Sequence, residues 1–254
     1  MRIRALVIAV AACSLLACGA VASLVEPSPG DLLQKASANL KTAKTTHIDG
    51  TGSFALKDGM NVSFDFKMAG EAEVPDKARL SMQMTLLGQP LSIDTISIGG
   101  RTYTKGLQGD TWTEATSTDP TSSGMLDPLG QTDLSGAVSV AEIDRPEVDG
   151  KKTRHLKYTV DPQKLLGKMQ GASGVASFAP SNVNGSGEVW VRTEDTQIVR
   201  QLVKLSFDIE GNLGLATGGT PSPSGKGTFE MSFDLHFSQI GQPITPAITA
   251  PPTR

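Results

Sequence analysis

The sequence predicts an α+β fold: one strongly curved antiparallel β-sheet with a few α-helices on its concave side. Three observations predict it. From His47 onward, apolar residues recur at every second position over most of the chain, the period of a half-buried strand. Turn-forming sequences such as Asp58-Gly59, Gly88-Gln89-Pro90, Gly99-Gly100 and Asp149-Gly150 separate those stretches at hairpin spacing. Ahead of them, Leu32, Leu33, Ala36, Leu40 and Ala43 fall on one face at the helical period.

Composition narrows the function classes. The 254 residues are 38% hydrophobic, 19% charged and 5% aromatic, which excludes collagen-like, coiled-coil and polytopic membrane chains. A net charge of −3 gives no electrostatic footprint for nucleic acid, so none is expected as a partner. Two cysteines and three histidines leave little for a thiol or metal centre, and neither a metal nor a cofactor is expected.

The N-terminus reads as an address and an anchor. Arg2 and Arg4 precede an apolar run from Ala5 to Leu16. That run is too short to cross a bilayer of about 30 Å, and fits the core of a secretory signal. It closes in Leu15-Leu16-Ala17-Cys18-Gly19, which resembles a bacterial lipobox. The resemblance implies cleavage after Ala17, discarding Cys13, and attachment of diacylglycerol to Cys18. The other reading is a signal peptide with an incidental cysteine. Residues 1–17 hold two Arg and no acid, so their removal takes the charge from −3 to −5. With no polybasic patch, the acyl chains on Cys18 would do the anchoring. The expected organisation is a signal peptide at 1–17, a short lipidated tether at 18–27, one domain at 28–240 and a disordered Pro-rich tail at 241–254. The expected location is the extracytoplasmic face of the cell membrane.

Element by element, Ser28, Pro29 and Asp31 form an N-terminal capping pattern for the first helix. Ile48, Gly50, Gly52, Phe54 and Leu56 then share one face of a strand. Val62, Phe64, Phe66 and Met68 form the next, and Leu80, Met82 and Met84 a third. Within Leu91–Ile98 the apolar phase slips between Ile93 and Ile96, which predicts a bulge near Asp94-Thr95. Short strands around Tyr103 and Trp112 complete a meander. Thr116–Gly136 is a loop or short helix carrying Met125, Leu126 and Leu129, and Glu142–Val160 returns to strands. Asp161-Pro162 opens a short helix with Leu165, Leu166 and Met169. Gly171–Gly187 is expected to be a flexible connection. Gly187–Arg192 and Gln197–Glu210 are expected to combine in one long strand, followed by another from Gly225 to Ile240. Residues 211–225 between them are rich in Gly, Pro, Ser and Thr.

Strands of this length span about 40–50 Å, and a long sheet burying one face has to curl. The inward face carries Phe54, Val62, Phe64, Phe66 and Met68 on the first strands, and Leu80, Met82 and Met84 on the third. Phe207, Phe229, Met231, Phe233 and Leu235 extend it on the last strands, with Phe237 in phase. Few helices are available to cover such a face. Either loops complete a filled core, or part of the face surrounds a cavity. Met68, Met82, Met84 and Met231 are expected to cluster, and flexible thioethers suit a lining that repacks around apolar ligands. Each acyl CH₂ removed from water contributes about 0.8 kcal/mol.

The order of features resembles one family. A lipobox is followed by an amphipathic helix ending near Lys44-Thr45-Thr46-His47, a meander of long strands and a helical middle. Then come Glu147-Val148-Asp149-Gly150-Lys151-Lys152-Thr153 and Val189-Trp190-Val191 running on to Ile198-Val199. Over about residues 15–240 this is similar to the LppX/LprA/LprF/LprG family of actinobacterial lipoproteins. The resemblance implies a half-barrel sheet with helices on one side, enclosing a hydrophobic cavity. It implies binding of lipid or glycolipid acyl chains in that cavity, with the thirteen inward residues from Phe54 to Leu235 as its lining. Carriage or presentation of those lipids across the cell envelope follows, and an envelope transporter is a partner it allows. The broader fold is shared with the LolA and LolB carriers and with RseB-type stress sensors. The last of these implies an alternative, an envelope sensor or adaptor acting through a protein partner. The chain departs from the family in residues 171–187 and 211–225, each a cavity gate or a plain loop.

The catalytic inventory is thin, and an enzyme is not expected. His47, His155 and His236 lie on separate strands, and no metalloprotease, nucleophile-elbow, CxxC or P-loop motif is present. Asp65 and Asp234 sit on polar strand faces and read as solvated. Lys151-Lys152 with Arg154 follows a turn and reads as a solvated hairpin tip or a headgroup site.

Overall fold

A computed structural model describes residues 26–57, 61–86, 88–106, 109–114, 134–164, 179–212 and 224–252. The signal peptide, Cys18 and most of the tether lie outside the described residues, as do the expected helices at 125–129 and 165–169 and the connections at 171–178 and 213–223.

The first helix, α1 (Pro29–Thr42), forms where the capping pattern puts it. Ser28 Oγ accepts from the Asp31 amide at 3.2 Å and donates to its carboxylate at 2.7 Å, with Pro29 in the first turn. At its end Ala43 is already extended, so the chain passes directly into β1 (Thr45–Lys57). A meander follows: β2 (Val62–Glu73), β3 (Lys77–Leu86), β4 (Gln89–Ile98), β5 (Arg101–Lys105) and β6 (Thr113–Glu114). After a 3-10 turn at Leu134–Gly136 come β7 (Ala137–Asp144), β8 (Glu147–Val148) and β9 (Lys151–Val160). The last strands are β10 (Ala179–Arg192), β11 (Ile198–Asn212) and β12 (Ser224–Ser238).

These strands make one 12-stranded antiparallel sheet in the order β6-β5-β4-β3-β2-β1-β12-β11-β10-β9-β7, with β8 beside β9. The central pairing of β1 with β12 joins the two arms, and among the described residues β6 and β7 are the edges. The expected α+β fold, a curved and unclosed antiparallel half-barrel with few helices, is the fold the chain adopts. Alternation holds across it: Phe66, Gly52, Phe233 and Val203 lie on one rung of the apolar face. Gly52 is required there, because a Cβ would stand 2.2 Å from Phe66 Cζ. The absent side chain lets the Phe66 ring cross β1 to meet Phe233, with centroids 5.6 Å apart. Gly187 does the same for Tyr158, whose hydroxyl would lie 2.4 Å from a Cβ.

Helix α1 lies on the apolar face, touching β7, β10 and β11. Leu32, Leu33, Ala36 and Leu40 pack there into one core with Ile48, Leu156, Val189, Val191, Ile198 and Leu235. Asn39 fixes the helix C-terminal half by donating to the carbonyls of Asp195 and Thr196 at 3.3 and 3.2 Å. At the other end, Arg154 donates to the Pro27 carbonyl at 2.9 Å and to Glu142 at 2.8 and 2.5 Å. Arg145 bridges Glu142, at 2.6 Å, and Glu26, at 2.9 and 2.5 Å. Burial raises the Glu142 pKa, but hydrogen bonds from Arg154 and Arg145 outweigh it and hold the carboxyl below its ordinary range. This network fastens the start of the body to β7 and β9.

Several local expectations are corrected. No bulge occurs at Asp94-Thr95, since β3 and β4 pair in unbroken register from Lys77/Ile98 to Leu86/Gln89. Ile93 faces the core, whereas Ile96 is buried on the opposite face, paired with Tyr103. The phase slip marks burial on both faces. Gly187–Arg192 and Gln197–Glu210 are two strands, β10 and β11, joined by a turn. That turn is built without Gly or Pro: Asp195 pairs with Arg192 and accepts from the Gln197 amide at 3.2 Å. Residues 179–187, expected as part of a flexible connection, are strand. Val183 is buried in the core but flanked in sequence by Asn182 and Asn184, and Gly185 and Gly187 sit on the apolar face, so the alternation carries almost no hydrophobic signal. Only 162–164 of the expected second helix are described, and they begin helically, with Asp161 accepting from the Gln163 amide at 2.9 Å. The tail from Gly241 to Pro252 has no regular structure, yet Ile248 is 4% exposed and Gly241 donates to Thr45, so part of it packs on the body.

Candidate functional site, the apolar face of the sheet

The apolar face has two unlike ends. Near the starts of β1 and β9 it is closed by α1, and Ile48, Leu156, Val189, Val191, Ile198 and Leu235 are at most 1% exposed. Toward the ends of β1 and β9 the helix no longer covers it. There Phe54, Phe64, Met84, Leu91 and Leu205 are only partly buried against the core.

Four phenylalanines from four neighbouring strands cross this far end. Phe64 stacks on Phe54 at 4.9 Å, Phe54 meets Phe229 edge-on at 4.7 Å, and Phe229 stacks on Phe207 at 4.5 Å. Such contacts add about 0.5–1.5 kcal/mol beyond burial, so the ledge holds its shape while one side stays exposed. Next to it Met68 and Met82 face each other on β2 and β3, with Met84 opposite Phe66. These three methionines lie on adjoining strands. Met231 does not join them: it sits on β12 between Phe54 and Leu205.

The thirteen residues expected to line the face all lie on it. Phe66, Met68, Leu80, Met82, Phe207, Phe229, Met231, Phe233 and Leu235 are buried, and Phe54, Val62, Phe64 and Met84 half-buried. The expected lining left out Leu56, Leu91, Ile93, Val203 and Leu205, which share the face. Their alternation was legible, and the missing step was pairing β4 and β11 to their neighbours. It also missed Tyr158, which lies on the same face with its hydroxyl accepting from Gln201 Nε2 at 3.1 Å. Burial pushes the Tyr158 pKa up to about 12, so the phenol is neutral and the face carries polarity without charge at this point. Three cavities bounded by described residues, of 780, 470 and 380 Å³, open mainly on the other, polar face beside Lys67, Gln83 and Ser81.

That polar face holds a layered cluster. His155 Nδ1 and Nε2 each lie 2.9 Å from a carboxylate oxygen, of Asp144 and Glu188. Carboxylates only accept, so both contacts are hydrogen bonds only when both ring nitrogens carry a proton. The His155 ring stacks on Trp190 at 4.1 Å, and Arg200 covers that indole at 4.4 Å. Arg200 in turn grips Asp234 at 2.8 and 2.6 Å, and that hydrogen-bonded pair holds the Asp234 carboxyl below its ordinary pKa. Asp234 is therefore ion-paired rather than simply solvated, while Asp65 is exposed. Lys151 and Lys152 are exposed at the β8–β9 hairpin, and Arg154 is turned inward to Glu142 and Pro27. His236 faces outward, and among the described residues no group of His, Cys, Asp and Glu could hold a metal ion. No helix among them is long and apolar enough to cross a membrane.

No protein-family description matches the chain, and no curated protein is significantly similar to it in sequence. Among solved structures it is similar to the lipoprotein LppX of Mycobacterium tuberculosis, at 15% identity over 84% of this chain and 97% of that one, with a TM-score of 0.44. LprF from Mycobacterium bovis is similar at 15% identity over 89% of this chain and 99% of that one, with a TM-score of 0.46. A LolA superfamily protein from Nitrosomonas europaea is similar at 9% identity over 87% of this chain and 96% of that one, with a TM-score of 0.32.

Proposed function

We propose that the chain is an extracytoplasmic lipoprotein, anchored through an acylated Cys18, that binds the acyl chains of a lipid or glycolipid on the apolar face of its half-barrel. In this reading it carries or presents them across the cell envelope and performs no catalysis. The observation that carries the reading is the gradient along that face. One end is sealed by α1, while the other leaves Phe54, Phe64, Met84, Leu91 and Leu205 partly exposed on a stacked aromatic ledge. Half-buried apolar side chains of this kind still have area to lose to an acyl chain laid against them. A chain end laid on the ledge would extend toward Met82 and Phe233, and each buried CH₂ would add about 0.8 kcal/mol.

The test is titration of a fluorescent acyl probe. Met82→Arg and Phe233→Arg place a charge on the floor of the face and are expected to abolish uptake while the sheet persists by circular dichroism. Unchanged uptake in both variants contradicts the reading. The anchor is tested separately: Cys18→Ala should accumulate as uncleaved precursor, and normal processing would refute lipidation.

A further inference from the structure

We infer that the edge strand β7 is a membrane-contact surface, which settles on the bilayer that holds the acyl chains of Cys18. The inference rests on the proposed acylation of Cys18 and is independent of whether the apolar face binds a ligand.

Two separate observations meet on this strand. The first is where the tether ends. Glu26 is held by two hydrogen bonds from Arg145, at the end of β7, and Pro27 by one from Arg154, on the adjoining β9. Seven residues lie between Cys18 and Glu26, eight steps along the chain. Fully extended they reach roughly 28 Å, so the Arg145 end of β7 cannot move farther than that from the lipid headgroups. The second is what the strand exposes. Val138 and Ile143, 42% and 46% exposed, are the large hydrophobic side chains that stand out into solvent among the described residues. Both lie on β7, and each is next to one of the two register shifts in its pairing with β9.

The charges nearby fit a lipid surface. Glu142 is neutralised by Arg145 and Arg154, and Asp144 is bound by His155. Of the two carboxylates the strand carries, Glu142 is thus ion-paired by arginine and Asp144 lies against the His155 ring at 2.9 Å. A second β-strand fits this edge less well, because the shifts between Val138 and Ala141 and between Glu142 and Asp144 break the regular ladder that edge pairing needs. A bilayer needs no register. It accepts two aliphatic side chains at the depth a short tether allows, as one weak signal beside a strong one.

The full mature chain, in phosphatidylcholine vesicles containing doxyl-labelled phospholipid, tests this. With Cys18 acylated, Val138→Cys and Ile143→Cys can be labelled with bimane, and Ser53→Cys and Asp65→Cys on the polar face of β1 and β2 serve as controls. Quenching at 138 and 143 is expected to exceed that at 53 and 65 several-fold. Equal quenching at all four positions, or none at 143, overturns the inference. In the soluble Cys18→Ser form, Val138→Glu with Ile143→Glu should lower vesicle partitioning about tenfold or more. Unchanged partitioning overturns it, and so does a concentration-dependent dimer that the same double variant abolishes. Acyl-probe uptake by that double variant is expected to be unchanged. Loss of probe binding in the parent form would remove the ligand reading and leave the membrane contact standing, whereas an unacylated Cys18 removes the contact and leaves the ligand reading.

Discussion

The two ends of the apolar face are built from the same alternation yet finish differently. At the α1 end, a helix with a full apolar stripe is laid across β10 and β11, and side chains there reach zero exposure. At the far end, four phenylalanines stack across four strands; Phe207 and Phe229 are buried, while Phe54 and Phe64 at the other end of the row are only half-buried among the described residues. One end is fully closed, and the other continues the same core into a margin of half-buried, preorganised apolar side chains. The difference shows that alternation alone decides which residues face inward, while the placement of one helix decides which of them are spent on stability.

Variants can break this contrast. The largest effect is expected at the sealed end: Leu33→Ala removes a fully buried side chain and should destabilise by about 2–5 kcal/mol in denaturant unfolding, with acyl-probe affinity unchanged in the folded fraction. Gly52→Val comes next, because a Cβ there must displace the Phe66 ring. It should cost about 1–3 kcal/mol and also weaken the probe, since Phe66 and Phe233 lose their contact. At the far end the balance should invert. Phe64→Ala is expected to cost only about 1–2 kcal/mol, because the ring is half-exposed, while lowering probe affinity about tenfold. A larger stability loss for Phe64→Ala than for Leu33→Ala would erase the distinction between the ends.

The smallest effect concerns the polar face, which should be indifferent to ligand. Asp234 has a lowered pKa because Arg200 hydrogen-bonds its ionised form. Its stabilising contribution is therefore present above the unfolded aspartate value of about 3.9 and lost as pH falls through the lower folded value. Trp190 fluorescence, reporting on the Arg200 and His155 rings beside it, should change in that acid window. Asp234→Asn should remove the acid transition without altering probe uptake.

Much of this is legible in the sequence. The α1 capping box, the meander and the inward phase of β1, β2, β3 and β12 follow from period and turn chemistry, because each is a local rule. What escaped were features set by neighbours. Strand residues 179–187 hide behind Gly, Ser and Asn, since their apolar partner is a tyrosine lying over Gly187 from the next strand. The turn at Thr193–Thr196 carries no Gly or Pro and depends on an Asp195 side chain. Ile96 read as a slip because sequence cannot show that the opposite face is also covered. For the candidate site, membership of the face was readable, but its division into sealed and partly open ends required knowing where α1 lands.

The central claim is that the half-open end holds acyl chains. Native mass spectrometry of the soluble Cys18→Ser form, purified from its host envelope and followed by lipid extraction, tests it most directly. The account predicts a bound population heavier than the chain by the mass of a lipid, released by organic solvent and missing in Phe233→Arg. A single peak at the mass of the bare polypeptide, with no extractable acyl chains, would contradict it.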